Sequence, residues 1–82
     1  MSKPWFIYIV RCRDNSLYTG ITIDIDKRIK DHNQGLGAHY TKTRGPVKLV
    51  YNEKHPNRSS ALKKEILIKS WRRKRKEAFI AS

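Results

Sequence analysis

Between Tyr8 and His32 the chain carries four side chains suited to moving a proton or holding an anion: Tyr8, Tyr18, Arg28 and His32. A free phenol has a pKa near ~10, so at neutral pH it acts as a base only beside a positive field or a proton acceptor. Histidine titrates closest to neutrality. Arginine stays charged and offers a planar fork of donors matched to phosphate. Arg28 and His32 are four residues apart, which puts them on one face of a helix. Farther along, Glu65 lies among Ala61, Leu62 and Ile68, where a carboxylate is costly to bury unless a cation, Arg28 or a lysine stands opposite.

Taken singly, each of these residues has an ordinary structural role. Strand tyrosines pack and satisfy one hydroxyl, helix arginines and histidines are mostly solvated, and Glu65 suits a simple pair with Lys69 four residues on. Only their combination points to chemistry.

The elements that must hold them are short. Residues 6–13 are rich in aromatic and β-branched types and read as a strand buried on both sides near its middle; Asp14-Asn15-Ser16 is a turn, and 17–22 resumes the strand pattern. A three-residue loop would put Tyr8, Val10 and Cys12 on one sheet face with Tyr18, Gly20 and Thr22. Gly20 would then stand opposite Val10, the phenols about 13 Å apart along the strands at ~3.3 Å per residue, and the glycine would leave room for a substrate backbone. A two-residue loop would put the tyrosines on opposite faces. Residues 24–35 form a short amphipathic helix, acidic at its start, apolar at Ile25 and Ile29, and stopped by Gly35.

Residues 35–46, with three glycines, Lys42 and Arg44, read as a mobile cationic loop contacting substrate. Residues 47–51 read as a third strand closed by His55-Pro56-Asn57. The spacing predicts a helix over 59–70, capped by Asn57 or Ser59, with an apolar stripe of Ala61, Leu62, Ile66 and Ile68. A terminal helix over 71–80 joins the basic run Arg72 to Lys76 to Phe79 and Ile80, docked by that apolar end and by Trp71.

The 82 residues fit one domain, since smaller pieces could not bury a core without staples. Nineteen Lys and Arg against seven Asp and Glu give a net charge of +12, which favours a polyanionic partner, nucleic acid first. No apolar run approaches the roughly 20 residues that span a bilayer, and no signal-peptide pattern follows Met1, so a soluble cytoplasmic protein without membrane contact is expected. Cys12, the single cysteine, excludes an internal disulfide and suits a small core residue.

Phe6-Ile7-Tyr8, Tyr18-Thr19-Gly20, Arg28, His32 and Glu65 together resemble the GIY-YIG nuclease superfamily over nearly the whole chain. Tyr18-Thr19-Gly20-Ile21-Thr22, Gly37-Ala38-His39-Tyr40-Thr41 and Pro46-Val47-Lys48-Leu49-Val50-Tyr51 are similar to its small, single-domain bacterial branch. Phe6 and Thr19 depart from the two motifs of the name, and no asparagine follows Glu65, where many family nucleases carry one that positions substrate.

The resemblance implies an α/β fold of the α+β type: a three-stranded antiparallel sheet flanked by helices in the order β-β-α-β-α-α. It further implies phosphodiester hydrolysis by water with one divalent cation, Mg2+ or Mn2+, on Glu65. Tyr8 would be the general base, Arg28 the phosphate clamp, Tyr18 a positioning group for water or phosphate, and His32 a support for Tyr8. Gly20, Lys42, Arg44, Arg72, Arg73 and Lys74 are the expected nucleic-acid contacts, made to backbone rather than to base edges, with Tyr40 and Trp71 stacking on bases. DNA, single-stranded or structured, is favoured over RNA, with a protein partner as a possible source of specificity. The alternative is a noncatalytic DNA- or RNA-binding module on the same scaffold, motivated by the missing asparagine.

Overall fold

The computed structural model describes residues 3–82. Its sheet has the order β2-β1-β3, from β1 (Trp5–Arg11), β2 (Leu17–Thr22) and β3 (Lys48–His55), both pairings antiparallel. Helices α1 (Ile25–Asn33), α3 (Arg58–Lys69) and α4 (Arg73–Ala81) flank it, with one short turn of helix, α2 (His39–Lys42), between α1 and β3. The expected sheet and order of main elements are therefore present, with α2 added. Among the described residues, no helix is long and apolar enough to cross a membrane.

Being central, β1 is covered on both faces, and Ile7, Tyr8, Ile9 and Val10 are all fully buried. Alternation sends Ile7 and Ile9 toward Ala61 and Ile68 of α3, where Trp71, Phe79 and Ile80 also pack. Tyr8, Val10 and Cys12 go to the opposite face, with Ile29 of α1, Tyr18, Leu49 and Val47. Cys12 is thus a core residue and a free thiol.

Several boundaries differ from the sequence reading, each for a local reason. The first strand ends at Arg11 rather than residue 13, because Cys12 N–H donates to the Ser16 carbonyl and Asn15 N–H to the Cys12 carbonyl. Asn15 takes the left-handed conformation that closes this loop, φ 71°. The resulting register pairs Tyr8 with Gly20 and Val10 with Tyr18. Both tyrosines still share a face, but Gly20 stands opposite Tyr8, not Val10. The phenol rings are in diagonal contact, centroids 6.4 Å apart, instead of separated by the expected span.

The third strand runs on to His55, as Lys48, Asn52 and Lys54 alternate outward along an edge. Segment 35–46 is not wholly irregular: it contains α2, with Thr41 fully buried, Arg13 N–H donates to the Arg44 carbonyl, and the Asn33 amide brackets Val47 through N–H and carbonyl contacts of 2.6 and 3.3 Å. Of the two caps considered for α3, Asn57 serves, accepting from Ser60 N–H at 2.9 Å. The buried stripe of α3 is Ala61 and Ile68 with Glu65 between them, whereas Ile66 is 61% exposed. Trp71 precedes α4 rather than opening it and packs against Phe79, ring centroids 5.1 Å apart, so the docking is as expected.

Candidate active site

The register of β1 and β2, with α1 laid across their face, concentrates the chemistry at the hydroxyl of Tyr8. That hydroxyl lies 2.8 Å from His32 Nε2 and accepts from Arg28 Nε–H at 3.3 Å. Arg28 and His32 reach it together because they lie one turn apart on α1, whose start is fixed by Asp24 accepting from Lys27 N–H at 3.1 Å. Tyr8 is fully buried and His32 is 1% exposed.

Burial dominates the electrostatics. It pushes the Tyr8 phenol above its ordinary value, partly offset by the hydrogen bond and charge of Arg28. It pushes His32 below its ordinary value, and the Arg28 charge adds to that, against Asp31. The imidazole facing Tyr8 at neutral pH is therefore the neutral form, able to accept a proton. Arg28 is held more firmly charged, chiefly by its bond to Tyr8.

Tyr18 packs edge-on against His32 and stacks on Tyr40, centroids 5.4 and 5.9 Å away. Glu65, on the buried stripe of α3, is close enough for its charge to raise the Tyr8 pKa further, so α3 brings the carboxylate to the same site. Its side chain is 13% exposed and meets Lys69 Nζ at 3.4 Å. Of the groups that could have stood opposite this carboxylate, Lys69 is the one in contact. Tyr8, Tyr18, Arg28 and His32, drawn from three elements, thus form one cluster, and Glu65 borders it through Lys69, whose Nζ lies 5.7 Å from the Tyr18 ring centre.

The expected nucleic-acid contacts divide. Lys42, Arg72 and Lys74 are exposed and without an ion-pair partner among the described residues. Arg73 is spent on the Asn15 carbonyl and Glu77, at 2.6 and 3.2 Å. Arg44 is held by Asp14 and the Tyr40 carbonyl, with its guanidinium 4.1 Å from the Tyr40 ring centre. Gly20 offers no substrate channel: a Cβ there would come within 2.5 Å of the Tyr8 hydroxyl, so the absent side chain makes room for the phenol itself. The two stacking aromatics are also occupied. Tyr40 lies between Tyr18 and Arg44, and Trp71 carries Phe79 and the Arg75 guanidinium, the latter 4.4 Å from the ring centre.

Two residues escaped the sequence reading. Thr41 Oγ1 lies 2.6 Å from His32 Nδ1, and Gly37 packs against the same ring, where a Cβ would reach Cε1 and Cγ at 2.7 Å. Both lie in the Gly37-Ala38-His39-Tyr40-Thr41 motif, but neither period nor charge there marks a site role.

The sequence model described as the GIY-YIG catalytic domain matches residues 4–78. The chain belongs to the GIY-YIG family. Among its relatives, a UPF0213 protein of Staphylococcus saprophyticus is 54% identical over 76 residues, 93% of each chain. Another from Staphylococcus haemolyticus is 52% identical over 71 residues, 87% of each. The fold matches that of a UPF0213 protein from Bacillus halodurans solved by NMR, with a TM-score of 0.63 and 41% identity over 95% of this chain and 83% of that one. A second NMR structure, of a protein from E. faecalis, gives a TM-score of 0.66 and 36% identity over 98% and 85%. The chain is thus similar to small bacterial proteins whose names state no activity.

GIY-YIG nucleases generally depend on a divalent metal, and the donor set here bears on that. Among the described residues no three His, Cys, Asp or Glu side chains gather into a metal cage. A single largely buried carboxylate, Glu65, fits Mg2+, which retains waters and takes one or two protein carboxylates plus phosphate oxygens.

Proposed function

We propose that the protein is a divalent-metal-dependent endonuclease that hydrolyses phosphodiester bonds of nucleic acid, DNA in preference to RNA. The observation that carries this is the buried Tyr8 hydroxyl held between a neutral His32 and a charged Arg28. Such a phenol could take a proton from a water brought against it with the bound phosphate while passing its own to His32 Nε2, so that tyrosinate need not persist. The water oxygen bonds to phosphorus and the bond from phosphorus to the leaving oxygen breaks.

Arg28 spends only Nε–H on Tyr8, and its terminal nitrogens make no other hydrogen bond among the described residues. They are free to hold the phosphate and the charge that grows on it. Tyr18, whose hydroxyl has no partner among the described residues, suits positioning of water or phosphate. Glu65 would hold the metal, which when bound stabilises charge on the phosphate and leaving oxygens. Lys42, Arg72 and Lys74 supply free positive charge for backbone phosphates.

A noncatalytic binding module is the second reading, favoured by Lys69 standing on Glu65 at 3.4 Å and by the absence of an asparagine after Glu65. The deciding experiment incubates purified protein with labelled single-stranded, duplex and branched DNA and with RNA, with and without Mg2+. Metal-dependent cleavage that is lost in Tyr8→Phe and Glu65→Gln is expected. Inactivity of the wild type on every substrate, with binding intact, would establish the binding module instead.

A further inference from the structure

His32 can serve Tyr8 as proton acceptor only if its Nε2 lone pair is bare, and a neutral imidazole carries its one hydrogen on either nitrogen. Two chains of contacts decide which. At one end, Thr41 Oγ1 lies 3.0 Å from the Ala38 carbonyl oxygen and 2.6 Å from His32 Nδ1. With the Thr41 hydroxyl hydrogen on the Ala38 carbonyl, both contacts of Oγ1 are hydrogen-bonded only if Nδ1 brings the hydrogen to the second.

At the other end, the Tyr8 oxygen already accepts from Arg28 Nε–H. If Nε2 also carried a hydrogen, that oxygen would face two donors, and its own hydrogen would have no acceptor among the described residues, in a side chain that is fully buried. A donor left so is costly. Both ends favour the hydrogen on Nδ1.

We propose that Thr41 is a positioning residue that fixes His32 in the Nδ1–H tautomer, keeping the Nε2 lone pair on the Tyr8 hydroxyl. This rests on reading Tyr8 and His32 as the proton-transfer pair. Thr41 is fully buried and anchored twice to Ala38, by its hydroxyl and by its N–H at 3.1 Å, so the oxygen offered to Nδ1 does not wander. Gly37 lets the 37–41 segment lie directly on the ring, since a Cβ there would overlap Nδ1. When the Tyr8 proton moves to Nε2, the bond at Nδ1 is unchanged, so the imidazolium forms without rearranging its support.

The test reads the tautomer directly and activity separately. Imidazole 15N shifts of His32 at pH 8 are expected to show the Nδ1–H pattern in the wild type and in Thr41→Ser, which keeps the hydroxyl. Thr41→Val, similar in shape but without it, leaves only the Tyr8 end favouring Nδ1–H, so that preference should weaken measurably and kcat fall by about 10²- to 10⁴-fold with KM little changed. Thr41→Ser should recover most of the rate. An Nε2–H pattern in the wild type overturns the proposal, and so does a Thr41→Val protein with the wild-type tautomer preference or the wild-type rate. If Thr41→Val does not fold, the wild-type spectrum decides the tautomer. Wild-type inactivity on all nucleic acids would defeat the nuclease reading, and the spectra would still decide whether Thr41 sets the ring.

Discussion

Tyr8 is a fully buried residue of the central strand that also carries the reactive hydroxyl, so changes around it act on packing and chemistry together. Removing that hydroxyl in Tyr8→Phe should slow cleavage by about 10²- to 10⁴-fold, the range for general base catalysis, and Glu65→Gln should be at least as damaging. Single-turnover rates at saturating Mg2+ check both. Gly20→Ala drives a Cβ into the phenol at 2.5 Å and should cost about 1–3 kcal/mol of stability, with loss of activity, as denaturant midpoints would report. Because burial lowers the His32 pKa, the acid limb of kcat/KM should fall below pH 6.5, the ordinary histidine value. Linkage gives the matching stability term. Below pH 6.5 the unfolded chain binds a proton that folded His32 resists, so the stability contributed by the neutral ring is present above 6.5. It is lost as pH falls from there toward the depressed pKa. His32→Gln should flatten this part of the curve of denaturation midpoint against pH.

At the scale of elements, α4 is fastened to the hairpin by charge as well as by Phe79. Arg11 makes two bonds to Glu77, at 2.9 and 2.7 Å, and Arg73 joins the same carboxylate while reaching the Asn15 carbonyl. The hydrogen bonds from Arg11 hold the Glu77 carboxyl down at about 2. Its stabilisation is thus present above the ordinary value of roughly 4.3 and is lost as pH falls from there toward 2, and Glu77→Gln should remove that slope from acid denaturation curves. The strands, α1, α3 and the gathering of Tyr8, Tyr18, Arg28 and His32, with Glu65 at its border, were legible because each signal is local. They rest on β-branched runs, the four-residue spacing of Arg28 and His32, and motifs of a few residues. Gly37 and Thr41 fall in the motif from Gly37 to Thr41, but their residue types do not say what they touch. Thr41 and Gly37 matter through the ring they touch, a contact that exists only once α1 and α2 have packed. The same holds for Gly20, whose partner depended on whether three residues or the observed longer loop joined the strands.

Across the whole molecule, a charge of +12 on 82 residues makes nucleic-acid affinity steeply salt-dependent, but the cations are not equivalent. Lys42→Ala, Arg72→Ala and Lys74→Ala should each lower the slope of log K against log salt by about 0.7 to 0.9 if the residue meets a phosphate, without shifting the melting temperature. Arg73→Ala should instead lower the melting temperature, since that side chain ties α4 to the hairpin turn. Salt titrations of binding alongside thermal melts separate the two classes. The three-stranded sheet has a further consequence for so small a protein. Its β3 margin has unpaired backbone groups that could template a strand from another copy, and Lys48, Asn52 and Lys54 point outward along it. Two lysines on an open margin repel a like neighbour and keep their hydration, so this chain should resist edge-to-edge aggregation, and replacing both with valine should lower its solubility.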